Sequence, residues 1–273
     1  MDLDASGWLH LLTRWFHVVV GVLWIGQTYL FGWMDRNLEA LPEGERDERV
    51  EGRLWMIHSG GFYKVEKQRL VPEALPGTLH WFKWEAALTW ISGVVLLVLV
   101  YYLGGALVEV GSGVTTATAV LIGLGTLVVG WIAYDALWMS PLARHEKLTT
   151  WVSFALIVGV AWGLSSVLSG RAAYIHVGAL FGTVMAANVW ARILPGQRQL
   201  VAATAAGTPA DATLAARAKQ RSKHNTFLSV PLLFLMISSH FPTQSYGHRW
   251  SWAMLGGFVL LGWGARRLMT VLR

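Results

Sequence analysis

Nine histidines and no cysteine decide what chemistry this 273-residue sequence can carry. Without cysteine it has no disulfide framework, thiolate metal site, iron–sulfur cluster or covalent CxxCH haem, so a redox cofactor would be held by histidine, methionine or carboxylate. On the topology derived below, His10, His17, His176, His240 and His248 fall toward the outer side of a membrane, and His58, His80, His145 and His224 toward the inner side. Imidazole is the usual axial ligand of haem iron, and ionisable groups inside a membrane default to function. Two such layers suit one or two haems b. His17 shares a helix face with His10, and Gly21 lies one turn beyond it, leaving room for a flat macrocycle. At 1.5 Å per residue His17 sits about 3 Å inside the interface marked by Trp15. His176 has a similar depth, so the two could face each other on haem iron. Gly178, Gly182 and Ala186 read as a helix-packing stripe. On the inner side His80, His145 and His224 lie near helix ends and suit either an inner haem or a substrate site, and His240 is a further outer candidate. Each histidine could instead be an interfacial side chain satisfied by hydrogen bonds.

A second constellation occupies LWMIHSGGFYKVEK (54–67) and LPGTLHWFKWE (75–85). His58, His80, Lys64 and Glu85 supply acid and base groups for catalysis. Gly60 and Gly61 permit close backbone approach, and Phe62 and Tyr63 offer a stacking ring and a hydroxyl to a substrate. The competing reading is an interfacial re-entrant segment whose aromatic residues form a membrane belt. Asp135 and Glu85 read as interfacial carboxylates paired with Arg144 or Lys83, and Asn188 as an interhelical hydrogen bonder.

These residues must be positioned by membrane helices, because 54% of the chain is hydrophobic and only 14% charged. Runs long enough to span lie at about 8–34, 86–103, 114–137, 149–168, 173–194, 225–240 and 250–270. With the N-terminus outside, the inner segments hold every Lys and Arg except Arg14, Arg171 and Arg249, as the positive-inside rule requires. The net charge of +6 is therefore topological and directed at the lipid bilayer, not at nucleic acid. Met1-Asp2-Leu3-Asp4 lacks the basic region of a cleaved leader. The expectation is an all-α, polytopic bundle of about seven spans with a cytoplasmic C-terminus. It forms a single integral membrane domain, 1–273, multi-pass in a bacterial inner membrane. It carries a cytoplasmic loop insertion at about 35–84 and a linker at about 196–212, the latter followed by a basic helix start, DATLAARAKQRSKH.

The blocks RWFHVVVGVLWIG (14–26), LWMIHSGGFY (54–63), LPGTLHWFKWEAALTWISG (75–93), HVGALFGTVMAANVW (176–190) and QRSKHNTFLSVPLLFLMISSH (220–240) resemble the membrane-bound, cytochrome c-linked urate oxidase family, the PuuD-type urate hydroxylases. The resemblance runs from about residue 8 to 270. It implies oxidation of urate to 5-hydroxyisourate, with electrons passed to a c-type cytochrome and not to oxygen. In the family an eighth span carries a cytochrome c domain outside; seven runs and no CxxCH here imply a separate c-type cytochrome or a larger redox complex as partner. The first helix also resembles that of small haem b membrane proteins, which agrees with haem at His17. On this reading His58 or His80 is the base, and Tyr63, Lys64 and the Gly60-Gly61 backbone bind the anionic ring. The rival reading is a non-catalytic or haem-carrying membrane subunit of a respiratory or photosynthetic electron-transfer complex. A transporter is disfavoured, since there is neither an internal repeat nor a mid-span charge.

Overall fold

A 33-residue helix, α1 (Ala5–Asn37), leads the computed structural model, which describes residues 4–69 and 71–271. Asp4 caps it by accepting the Gly7 N–H at 2.9 Å. Trp8, Leu11, Trp15, Val18 and Val22 face outward, and of its residues Val20 and Trp24 are buried. So much outward apolar surface is stable against lipid, where the helix satisfies its own backbone.

The remaining helices are α2 (Trp84–Leu97), α3 (Thr116–Met139), α4 (Glu146–Ser165), α5 (Gly170–Ala187), α6 (Leu194–Ala205), α7 (Ala212–Ile237) and α8 (Ser251–Val271). Wider π turns extend α2 over Val98–Tyr102 and join α5 to α6 over Asn188–Ile193. Each apolar run of the sequence is thus helical. Five stretches, namely α1, α2 with its π turn, α3, α4 and the continuous Gly170–Ala205 rod, are long and apolar enough to cross a membrane. Helices α7 and α8 carry the last two runs beside basic segments.

Most of α5 is buried, and it packs against α2, α3, α4 and α7, while α8 lies against α4 and α7 and α1 chiefly against α2. Helices α7 and α8 come together at Pro231, which offers no N–H. A Cβ on Gly262 would lie 2.8 Å from the proline Cδ, so only glycine lets the two backbones meet.

Two expectations are corrected. The chain is mostly helical but not all-α: within the 35–84 insertion, β1 (Val50–His58) and β2 (Gly61–Gln68) pair antiparallel. Ser59 and Gly60 turn the chain with φ of 50° and 78°, as a two-residue hairpin turn requires. Lys67 reaches Asp35 at 2.9 Å and ties the hairpin to the end of α1. The 196–212 linker is also helical as far as Ala205. Alanine is the strongest helix former, Pro195 follows directly on the wider π turn that carries the rod on from α5, and Gly207 at φ 64° ends the segment.

Candidate functional site

Helices α1, α2, α5 and α7 enclose a cavity of about 720 Å³ whose walls include His17, His240, Arg14 and Arg171. Ser92 Oγ donates its proton to the Leu88 carbonyl at 2.6 Å, so it can only accept from His17 Nδ1, 3.0 Å away. This fixes the proton on Nδ1 and leaves Nε2 as a lone pair, the tautomer a metal ligand needs. His240 lines the same wall from an exposed position just past the end of α7, and the Arg171 Nε is buried and unpartnered. A Cβ on Gly26 or Gly182 would meet nothing within 4 Å, so both leave open wall. Two imidazoles, an apolar chamber with glycine walls and two guanidiniums for carboxylates fit a haem b with its propionates.

His176 does not share this role. Its Nδ1 donates to the Ala172 carbonyl at 2.7 Å, and its Nε2 accepts from the Tyr102 hydroxyl at 3.1 Å. Gly123 packs so close that a Cβ there would lie 2.7 Å from His176 Nε2. With both nitrogens spent and no place on the cavity wall, His176 is structural, and His240 stands in the cavity with His17 instead. Of the small-residue stripe, Gly178 packs on Met236 and Leu235, whereas Gly182 opens on the cavity.

A buried polar cluster lies on α3, the π turn after α5, and α7. Asp135 pairs with Arg192 and, at 2.9 Å, with Arg221, not with Arg144 as its position in sequence suggests. Arg221 lies over the Tyr134 ring, 4.8 Å from its centroid, with its Nε and Nη1 unpartnered. Tyr134 bonds His224 Nδ1 at 2.7 Å, and Asn188 bridges Tyr134 and Asn225. Beside the cluster runs a second cavity of about 920 Å³ between α3, α4, α5, α7 and α8, with His224 and Tyr134 on its wall and Lys147, Lys223 and Arg267 at one end. Arg221, His224 and Asn225 recur at the three- and four-residue spacing of one helix face, the signal by which this site was findable in sequence. Asn188 is the interhelical bonder expected, and the π turn it begins is a geometry frequent at functional sites.

The hairpin separates the residues expected to form one substrate site. Register places His58 opposite Gly61 and Met56 opposite Tyr63, so His58 and Tyr63 share one face while Phe62 and Lys64 lie on the other. Gly60 is spent on the turn, and Lys64 pairs with Glu66 at 2.8 Å. Lys64 and Arg53 hold the Glu66 carboxyl below the usual carboxylate range. His80 and His145 are exposed, and Glu85 accepts from Gln27 at 3.2 Å; Lys83 lies over the Trp84 ring instead of pairing with it. None of His58, Lys64, His80, Glu85 and His145 lines either cavity.

Comparison with protein families gives a match to the urate oxidase N-terminal family over residues 4–272. Neither the curated proteins nor the solved structures give a match.

Proposed function

On the premise that this chain belongs to the urate oxidase N-terminal family, we propose that it is a membrane oxidoreductase converting urate to 5-hydroxyisourate. The family match, spanning nearly the whole chain, carries the reading. Urate and one water yield 5-hydroxyisourate, two electrons and two protons, so the protein must take up the electrons and a base must take a proton. Haem b supplies one-electron acceptance where it is bound. His17 and His240 would hold its iron and Arg14 and Arg171 its propionates, on the side from which a separate cytochrome c collects electrons outside a bacterial inner membrane. His58 is the base in this reading, its imidazole offering a lone pair for the proton, and Tyr63 on the same strand face donates a hydrogen bond to the purine.

The test is the absorption spectrum of the detergent-purified chain before and after urate. The expected result is a b-type spectrum that urate reduces, with His58→Ala losing the reduction but keeping the haem. A chain without haem, or haem indifferent to urate, overturns the proposal. One observation favours the second reading, a non-catalytic subunit of a larger redox complex. Trp55, Ile57 and Phe62 stand exposed on one hairpin face, Phe62 by 78%. Co-purification with a redox assembly, together with no response to urate, would establish it.

A further inference from the structure

The second cavity is a slot that carries charge at one end alone. Its lining runs along α3 from Trp138 to Gly125 and along α4 from Glu146 to Val160, so at 1.5 Å per residue each wall is about 20 Å long. At the mouth Glu146 takes Lys223 at 2.6 Å and ties α4 to α7. Helix α8 runs back along α4, its Gly256 beside Val158 and its Trp263 beside Phe154, which brings Arg267 to the same end. Lys147 and Arg267 are exposed and have no carboxylate partner among the described residues, so the mouth holds cations in surplus.

Tryptophan marks that end as the water boundary. Trp151 and Trp263 stand one helical turn from Lys147 and Arg267, and Trp138 lies in the last turn of α3. Indole rings collect at the headgroup level of a bilayer, between apolar and wet surroundings. Farther in, from Ala133 to Gly125 on α3 and from Leu156 to Val160 on α4, no charged side chain lines the slot. The hydrocarbon and headgroup of one leaflet are together about 20 Å deep, which is the length of the slot from mouth to floor.

These dimensions separate the occupants. A small anion matches the cations but leaves the apolar walls empty. A neutral lipid covers the walls and leaves the cations unmatched. A partner helix, about 10 Å across with its side chains, takes up about 1,600 Å³ over the same length, against the slot's volume of about 920 Å³. We propose that the slot is a binding site for an anionic phospholipid, with the charged headgroup between Lys147 and Arg267 and one acyl chain lying along α3 and α4 to Gly125 and Val160. The lipid packs α3, α4 and α8 together at the membrane surface. The assignment rests on the slot alone and stands independently of any substrate.

The experiment is native mass spectrometry of the full-length chain, delipidated in detergent and titrated with dioleoylphosphatidylglycerol, with dioleoylphosphatidylcholine as the neutral counterpart. The anionic lipid is expected to stay bound at one per chain while the neutral one is lost. Lys147→Gln combined with Arg267→Gln should lower phosphatidylglycerol affinity about 30-fold, the loss of two cations beside an anionic headgroup, and erase the preference. Gly125→Phe, at a position where a Cβ meets nothing within 4 Å, should weaken the dioleoyl lipid and spare dihexanoylphosphatidylglycerol, whose chains end short of the floor. Equal retention of the two dioleoyl lipids, or an unchanged preference in the double variant, overturns the proposal. Displacement by inorganic phosphate or urate also overturns it, by marking a free-anion site. So does a dimer that dissociates as the lipid binds, which makes the slot a contact between copies. The comparison of the two lipids on the unsubstituted chain decides even where a variant fails to fold.

Discussion

Replacing Asp135 by alanine removes the carboxylate that pairs with both Arg192 and Arg221 in the polar cluster. The Arg221 side chain is fully buried, that of Asp135 is 11% exposed and that of Arg192 31%. Without the carboxylate, Arg221 keeps a full charge among α3, α5 and α7 with no anion beside it, and taking one partner from a buried pair costs about 3–5 kcal/mol. At 1.4 kcal/mol per factor of ten, the folding equilibrium falls by about two to three and a half powers of ten. Arg192→Ala leaves the Asp135–Arg221 pair intact and removes a partly solvated partner, which costs about 1 kcal/mol. Arg221→Met in the Asp135→Ala background removes the stranded charge and should restore most of the loss, since the two positions share one interaction. The assay is unfolding of the detergent-solubilised chain by SDS, followed by tryptophan fluorescence. Equal losses for Asp135→Ala and Arg192→Ala, or no recovery in the double variant, would refute the reasoning.

On the proposed haem at the His17 and His240 cavity, His17→Ala and His240→Ala should each abolish a b-type absorption, whereas His176→Ala should keep it and lower stability by leaving the Tyr102 hydroxyl unpaired and a pocket beside Gly123 unfilled; the reduced-minus-oxidised spectrum separates them. The hairpin should loosen in acid. Glu66 has its folded pKa lowered by Lys64 and Arg53, so its contribution is present above the unfolded value of 4.5 and lost as pH falls through the lower folded one. Amide exchange across 50–68 checks this, and Glu66→Gln should remove the dependence. Gly60→Val, at φ 78°, should destabilise the turn by about 1–2 kcal/mol and raise proteolytic nicking between β1 and β2 without changing haem content.

Helix placement was legible because a membrane span is set by length and apolarity, which sequence records directly. Each run from about 8–34 to 250–270 lies in a helix, with ends moved by a few residues. The two misread segments had signals that pointed either way. Ala-rich 196–205 looked like a linker by composition, yet alanine favours the helix once a preceding helix supplies the nucleus. The Ser59-Gly60 pair looked like a place for a ligand to approach. Its position between Leu54-Trp55-Met56-Ile57 and Phe62-Tyr63-Lys64-Val65, both with strand alternation, was the better guide to a turn.

The histidines show where spacing stops informing. Depth in the membrane puts His17 and His176 level, but it says nothing about hydrogen bonds, and those decide what each ring can do. Ser92, whose own proton goes back to Leu88, forces His17 to donate and frees its Nε2; Ala172 and Tyr102 use up both nitrogens of His176. Tyr134, itself oriented by Asn188, hands its proton to His224 and leaves Nε2–H as a donor. The three histidines thus differ, His17 keeping a lone pair on Nε2, His176 bracing the bundle and His224 holding its proton on Nε2, through neighbours 75, 74 and 90 positions away in the chain. Exchanging such a neighbour should change the role without touching the ring. In Tyr102→Phe, His176 loses the donor to its Nε2, and unfolding by SDS should show a loss of about 1 kcal/mol. No loss would mean that the Ala172 carbonyl alone holds the ring.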